Sequence, residues 1–136
     1  MNKPGSMLSD VLQAFRQRPA TECYPQERPE CNPQLRGLLH WDMSKCTGCG
    51  LCALDCPANA IQVEVIDRKA RRIVIRYFAD RCAYCAQCIY SCRQGAIESQ
   101  PDVWELAALE RGNLEYDFGD PEDIDLVLAG GTETGA

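Results

Sequence analysis

The sequence has no apolar run near the roughly 18 residues that a membrane-spanning helix needs, so no segment is predicted to cross a bilayer. No signal-peptide core follows residues 1–5, and we expect no export signal. Aromatic residues make up only 7% of the chain, and none is interleaved with the basic run of residues 67–72. That run is therefore predicted to be a solvated hairpin turn rather than a nucleic-acid site.

Cysteine is abundant instead, with ten residues in 136. Eight of them form two copies of one spacing, with gaps of two, two and three residues: Cys46, Cys49, Cys52 and Cys56, then Cys82, Cys85, Cys88 and Cys92. Three thiolates at this spacing surround three corners of a 4Fe-4S cubane, and the fourth reaches the other cubane. We assign to the first cluster Cys46, Cys49, Cys52 and Cys92. We assign to the second cluster Cys82, Cys85, Cys88 and Cys56.

Two alternatives to iron are open for these cysteines. Zinc sites usually take two CxxC pairs, which gives no reason for a third cysteine at the same gap and a fourth three residues on. A disulfide-rich secreted scaffold fits poorly without an export signal, so a reducing cytoplasm is favoured. Cys23 and Cys31 lie outside both motifs and are predicted to be free thiols.

The two cysteine runs belong to an internal repeat with a constant offset of 36 residues. Each unit is predicted to be a ligand loop, a short helix and a strand, with Pro57 in the first turn of the helix. Alternating apolar residues predict strands over residues 61–66 and 73–77. A hydrophobic core this small needs the additional stability of the metal–thiolate bonds. Residues 41–100 are therefore expected to be largely unstructured without iron.

The flanks divide the chain further. Residues 1–18 are predicted to contain an amphipathic helix, whose apolar face either packs on the cluster domain or lies against a membrane subunit or bilayer. Residues 19–40 are rich in proline and predict an extended docking arm. Residues 41–100 form the predicted two-cluster domain. Residues 101–136 are predicted to hold a C-terminal helix and an acidic tail.

Within the last segment, Asp102 and Glu105 resemble a capping box that starts a helix over residues 103–111. Its apolar residues Trp104, Leu106 and Leu109 are expected to pack on the core. Residues 124–128 predict a short docking strand, followed by a disordered end. Ten of the chain's 20 acidic residues lie in this segment, whereas the cluster domain is slightly basic. A core without an acidic surface indicates a fixed position in a complex rather than a diffusing carrier.

Several sequence marks together resemble a known family: Thr21-Glu22-Cys23-Tyr24-Pro25, Arg36-Gly37, the first cysteine run continuing through Cys56-Pro57-Ala58-Asn59-Ala60-Ile61, Trp104-Glu105-Leu106-Ala107, and Asn113-Leu114-Glu115-Tyr116. The chain is similar to the two-cluster ferredoxin-like subunit of respiratory complex I. It resembles still more the short relatives in energy-converting NiFe hydrogenases and formate hydrogenlyases. The resemblance covers residues 7–128.

The resemblance implies an α+β, bacterial-type two-cluster ferredoxin fold with two 4Fe-4S clusters. It implies a peripheral position on the cytoplasmic side of the membrane, with electrons passing to a further 4Fe-4S subunit. The other expected partners are a membrane subunit and a NiFe-type or quinone-site large subunit, but no nucleic acid. Shortness favours the hydrogenase branch, with quinone reduction or a diffusing ferredoxin as alternatives. No catalytic acid, base or nucleophile is predicted.

Four further residues carry hypotheses. Arg93 replaces the proline expected after the last ligand, and its cation and backbone N–H are predicted to raise the potential of the first cluster. An ordinary non-proline turn is the alternative. His40, the only histidine, is predicted to be a packing or interface residue rather than a metal ligand. Tyr84 and Tyr90 lie between ligands and are predicted to shield the second cluster from water.

Overall fold

We describe a computed structural model, which covers residues 7–18 and 21–130 of the chain. The chain divides into two units, residues 1–31 and 32–136, which are described separately. In the first unit, helix α1 spans Leu8–Arg16, within the segment where the amphipathic helix is predicted. Its apolar face is exposed and consists of Met7, Leu8, Val11, Leu12 and Phe15. Residues 21–31 hold no helix or strand, as their prolines predict.

The second unit is built from two small antiparallel sheets. Strand β1, Leu38–Trp41, pairs with β4, Ile97–Gln100. Strand β3, Arg72–Phe78, lies between β2, Ile61–Asp67, and β5, Glu115–Phe118. The predicted strands and the hairpin at residues 67–72 are therefore present, and the class is α+β. Strand β1 begins at residue 38, so the folded core includes the last residues of the segment assigned to the arm.

The 36-residue repeat continues from the cysteines into these sheets. Trp41 pairs with Ile97 in one sheet, and the equivalent Tyr77 pairs with Ile61 in the other. The hydrogen bonds that follow are equivalent too. The Asp42 N–H donates to the Ala96 carbonyl at 2.8 Å, and the Phe78 N–H donates to the Ala60 carbonyl at 2.9 Å. Each sheet therefore joins a strand before one cysteine run to the strand after the other run, which ties the halves together.

The core lies between the sheets and the cysteine runs. Its fully buried large side chains include Trp41, Ile75 and Tyr77, and the rings of Trp41 and Tyr77 are in contact with centroids 5.3 Å apart. His40 packs edge-on against Phe118, with ring centroids 5.5 Å apart, which agrees with its predicted packing role. These aromatic contacts fix the strands that position the ligand loops.

The ligand helices differ from the prediction in one respect. Helix α2, Leu51–Leu54, and helix α3, Gln87–Ser91, lie inside the cysteine runs, before the fourth cysteine of each run. Pro57 therefore belongs to a turn, and its predicted place in the first turn of a helix is wrong. The chain must reverse after Cys56 to enter β2, and the N–H of Asn59 closes this turn on the Cys56 carbonyl.

The prediction for the C-terminal segment is wrong in two places. Residues 103–110 are irregular instead of helical, because the Val103 carbonyl accepts a hydrogen bond at 2.9 Å from the N–H of Leu38, before a helical turn can form. Leu106 packs on the core as predicted, whereas Leu109 is fully exposed. A 3-10 turn, Arg111–Leu114, then leads into β5.

The second error concerns the predicted strand at residues 124–128, which lies within helix α4, Pro121–Ala129. Proline suits the first helical position, and Glu122 and Asp123 place negative charge in the first turn, where the helix dipole favours it. The disordered end predicted for residues 131–136 lies outside the described residues. No helix in the described part of the chain has both the length and the apolar character to span a membrane.

Candidate metal centre

Two cavities lie beside the ligand helices, and each is lined by four cysteines. The first is lined by Cys46, Cys49, Cys52 and Cys92. The second is lined by Cys56, Cys82, Cys85 and Cys88. These are the same two sets of four that the sequence assigns to the two clusters. The structure thus brings together all eight predicted ligands, four around each cavity.

The crossing of the fourth cysteine follows from the packing of the two ligand helices. Helices α2 and α3 are in contact, so the cysteine that comes after each helix reaches the cavity of the opposite repeat. Cys56 leaves α2 and lines the second cavity, and Cys92 leaves α3 and lines the first. Neither cavity is complete without both cysteine runs.

The arrangement of thiols fits a cluster better than a single ion. Among the described residues, no three His, Cys, Asp or Glu side chains converge closely enough to hold one metal ion. Zinc needs four ligands at about 2.3 Å from one point. The cysteines instead surround a volume, and the walls between them are apolar, with Val63 and Ile75 in the first cavity and Leu39 and Ile61 in the second. Four thiols around a volume with apolar walls are the donor set of a 4Fe-4S cubane.

Burial of the ligands follows the repeat and affects their protonation. Cys49 and its equivalent Cys85 are exposed, whereas Cys88 is buried. Burial raises the pKa of Cys88 to about 12 and that of Cys52 to about 11. Both thiols are therefore protonated at neutral pH until iron displaces the proton, which couples metal binding to proton release.

Backbone N–H groups are directed at ligand sulfur atoms in equivalent pairs. The Ala60 N–H donates to Cys56 Sγ, and the equivalent Ala96 N–H donates to Cys92 Sγ, both at 3.3 Å. At the start of the second run, the Tyr84 N–H donates to Cys82 Sγ at 3.4 Å. These donors stabilise negative charge on the sulfur of a bound cluster and therefore favour its reduced state.

Left-handed backbone shapes each ligand loop at three equivalent places. These positions are Gly48 and Tyr84, Gly50 and Ala86, and Asn59 and Gly95, with φ between 48° and 76°. The first run uses glycine at its first two positions, where positive φ costs least. The second run uses Tyr84 and Ala86 there, so its loop is held in the same shape by packing and hydrogen bonds rather than by backbone preference.

Arg36 is a residue of this site whose role the sequence did not reveal. Its Nη1 donates to the carbonyls of Tyr84 and Cys85, both at 3.3 Å, and it lines the second cavity. It thus secures the left-handed turn of the second ligand loop and places a cation beside that cavity. The adjacent Gly37 cannot be replaced by a larger residue without a clash, since a Cβ there would lie 2.0 Å from the Gln100 carbonyl oxygen.

The other residues singled out from sequence have separate outcomes. Tyr84 lines the second cavity, consistent with a shielding role. Tyr90 is 80% exposed because α3 turns its side chain to the surface, so the predicted shielding role of Tyr90 is wrong. Arg93 is exposed, and its proposed effect on the first cluster stays a prediction. Cys23 and Cys31 line neither of the two cavities.

Known proteins resemble this chain both in the region of the two cysteine runs and over most of its length. A family model described as a 4Fe-4S dicluster domain matches residues 45–96. NADH-quinone oxidoreductase subunit I 2 of Geobacter metallireducens is 34% identical over 116 residues, which cover 80% of this chain and 88% of that protein. NAD(P)H-quinone oxidoreductase subunit I of Gloeobacter violaceus is 27% identical over 117 residues, covering 83% of this chain but only 56% of that protein.

A solved structure has the same fold. It comes from a membrane-bound sulfane sulfur reductase, an archaeal respiratory membrane complex, and matches with a TM-score of 0.65. The match covers 99% of this chain and 73% of that chain at 23% identity. The predicted cofactors, two 4Fe-4S clusters, are confirmed by the dicluster match and by the relatives.

Proposed function

Because the chain belongs to the family of NADH-quinone oxidoreductase subunit I, we propose that it relays electrons through two 4Fe-4S clusters within a membrane-associated respiratory complex. The first cluster is held by Cys46, Cys49, Cys52 and Cys92. The second is held by Cys82, Cys85, Cys88 and Cys56. The observation that carries this proposal is the pair of cavities, each lined by three cysteines of one run and the fourth cysteine of the other.

The protein's own residues prepare each cavity for one-electron transfer, and the clusters supply the redox chemistry. Apolar walls line the inner side of each cavity, and backbone N–H groups offset negative charge on Cys56 and Cys92. The contact between helices α2 and α3 holds the cavities side by side. Each helix contains one ligand of its own cavity, Cys52 or Cys88, and is followed by the fourth ligand of the other cavity. We expect the ligand loops to move little when an electron is transferred. Paired strands on both sides of each cysteine run hold these loops in place.

The exposed ligands give each cluster a route to the surface. Cys49 is exposed at the first cavity and Cys85 at the second, 36 residues apart in equivalent places. We expect one of these positions to face the electron donor and the other the acceptor, because electron transfer is fastest over the shortest distance. A linear relay of this kind needs partner subunits on two sides of the domain.

The final electron acceptor of the complex distinguishes the quinone branch from the hydrogenase branch. The relatives reported above are quinone oxidoreductase subunits, which supports the quinone branch. The hydrogenase branch, which the sequence favours, has no support from these relatives and stays a prediction. We also propose that the chain binds peripherally on the cytoplasmic side of the membrane, next to a further 4Fe-4S subunit, a membrane subunit and a large subunit.

Anaerobic purification tests the relay itself. We expect about eight iron atoms and an equal amount of acid-labile sulfide per chain, with two one-electron midpoints in a redox titration followed by EPR. A colourless protein that contains zinc, with no labile sulfide, would refute the cluster assignment.

A tagged chain purified from its native membranes tests the branch. Co-purification with a quinone-site large subunit supports the quinone proposal, and co-purification with a NiFe-type large subunit supports the hydrogenase prediction. Recovery of the loaded chain alone, with no loss on deletion of residues 1–36, would indicate a diffusing ferredoxin and overturn the relay proposal.

A further inference from the structure

Arg36 makes the two cavities electrostatically different. Within the part of the chain that the structure describes, it is the only Lys, Arg, Asp or Glu side chain in the wall of either cavity. Its Nη1 donates to the carbonyls of Tyr84 and Cys85, both at 3.3 Å, on the loop that holds two ligands of the second cluster. The repeat therefore builds two similar sets of cysteines, with a cation in the wall of the second cavity.

The equivalent arginine of the other repeat is held elsewhere. Arg72 lies 36 residues after Arg36, and the two come at the start of the equivalent strands β3 and β1. Arg72 lines neither cavity, because Asp123 of α4 holds its guanidinium, with the Arg72 Nε 2.8 Å from Asp123 Oδ1. Helix α4 follows both repeats and contacts β3, so it breaks the symmetry of the two arginines.

The cations that precede the first ligand of each run differ in the same direction. Lys45 and Arg81 are equivalent, as are Asp42 and Phe78. Lys45 Nζ lies 2.9 Å from Asp42 Oδ2, so a carboxylate offsets the cation before the first cluster. Arg81 instead lies over the neutral ring of Phe78, 4.5 Å from its centroid. The surroundings of the second cluster are again the more positive.

We propose that the second cluster has the higher reduction potential of the two, so that the first electron added to the loaded chain resides on it. The inference rests on the proposed function and on its ligand sets. Reduction adds negative charge to a cluster, and a nearby cation stabilises the reduced state more than the oxidised state. Arg36 acts through its charge and its hold on the ligand loop, and makes no bond to iron.

Other charges near the ligands are screened or paired. Arg93 follows a ligand of the first cluster and Asp55 precedes a ligand of the second, so both favour the opposite order of potentials. Both are exposed and line neither cavity, so water and salt screen them. Arg36 is also exposed, but two hydrogen bonds hold its charge against the ligand loop. Asp80 lines an open cavity beside Arg36, and its charge is offset by an ion pair with Arg111.

The order of the potentials is measured in the full chain, loaded with iron and sulfide. Under the crossed ligand sets, Cys49→Ser retains an intact second cluster and Cys85→Ser retains an intact first cluster. In redox titration followed by EPR, we expect the retained cluster to have the higher midpoint in Cys49→Ser. The expected difference is about tenfold in the ratio of reduced to oxidised cluster, or about 59 mV. Equal midpoints, or a higher midpoint in Cys85→Ser, would overturn the inference.

Two substitutions in the chain with both clusters test the electrostatic cause. Arg36→Gln removes the cation from the wall of the second cavity, and Gln94→Lys adds a cation to the wall of the first. We expect Arg36→Gln to lower the higher midpoint and Gln94→Lys to raise the lower one, so each narrows the gap. Gln94→Lys leaves the contacts of Arg36 intact and remains informative if Arg36→Gln does not fold.

Arg68→Gln is the matched control for the loss of an arginine. It makes the same change in the exposed hairpin, at a residue that lines neither cavity, and should leave both midpoints unchanged. A gap as wide as that of wild type in either loaded test variant would overturn the inference.

Iron analysis separates this inference from the proposed function. If wild-type protein holds about eight irons and the midpoints do not follow this order, only the order of the potentials is wrong. If wild-type protein holds no iron or labile sulfide, the proposed function itself is wrong.

Discussion

The Arg72 guanidinium forms an ion pair with the buried carboxylate of Asp123, with its Nε 2.8 Å from Asp123 Oδ1. Arg72 begins β3 and Asp123 lies in the first turn of α4, so the pair joins the C-terminal helix to the central hairpin. Asp123 is only 2% exposed, whereas the Arg72 side chain is 43% exposed. The ion pair also raises the pKa of Arg72.

Replacing Asp123 by Asn should detach α4 from the hairpin. We expect a loss of about 2 kcal/mol, less than the ~3–5 kcal/mol for a fully buried pair, because water reaches Arg72. Hydrogen exchange should show α4 amides exchanging faster, with the ligand helices unaffected. Asp125→Asn is the control, since it makes the same change on an exposed side of the same helix. Equal exchange in the two variants would show that the ion pair does not hold the helix.

Gly37→Ala should destabilise the two-stranded sheet. The new Cβ would lie 2.0 Å from the Gln100 carbonyl oxygen and 2.7 Å from that of Val103, so backbone must move. We expect a loss of at least about 2 kcal/mol in thermal unfolding of the loaded protein. Gly112→Ala is the control, because no atom lies within 4 Å of its Cβ position. Similar melting temperatures for the two variants would argue against a close approach at Gly37.

The sequence predicts those parts of the fold that depend on local pattern. The cysteine spacing indicates both sets of ligands, and alternation indicates β2, β3 and their hairpin. The 36-residue offset is also visible in sequence, and it extends to Trp41 and Tyr77 once the strands are aligned. Apart from the 36-residue offset, each of these features depends on residues that lie within a few positions of one another.

The wrong predictions concern segments whose structure depends on contacts with residues that are distant in the sequence. Residues 103–110 have a capping pattern, but the hydrogen bond from Leu38 to Val103 holds them in an irregular path. Residues 124–128 look like a strand, but the preceding proline and the ion pair of Asp123 favour a helix. Arg36 could be recognised only as part of a motif, because its carbonyl acceptors are 48 and 49 residues away.

Cys56→Ser tests the exchange of the fourth ligand between the repeats. It should damage the second cluster, although Cys56 belongs to the first cysteine run, so iron should fall from about eight atoms to about four. The EPR signal that disappears should be the one lost in Cys85→Ser and retained in Cys49→Ser. Cys23→Ser should leave both signals intact. Loss of the same signal in Cys56→Ser and Cys49→Ser would contradict the crossed assignment.

Arg36→Gln should lower the midpoint of the second cluster. The change removes a cation from the cavity wall and two hydrogen bonds to the ligand loop, and both losses disfavour the reduced state. Arg36→Lys keeps the charge but loses the planar geometry of the guanidinium. A normal midpoint in Arg36→Lys would assign the effect to charge, and a lowered midpoint would assign it to the loop. No shift in Arg36→Gln would exclude both roles.

Arg93→Pro tests whether the departure from proline affects the first cluster. Pro57 holds the equivalent place in the first repeat, so the substitution makes the two repeats alike at this position. It removes a cation and a backbone N–H next to Cys92, and we expect the midpoint of the first cluster to fall. Because Arg93 is exposed, solvent should screen its charge, so the shift should be smaller than that of Arg36→Gln and decline at high salt. Arg93→Gln keeps the N–H and separates the two contributions. An unchanged or raised midpoint in Arg93→Pro would leave residue 93 as an ordinary turn position.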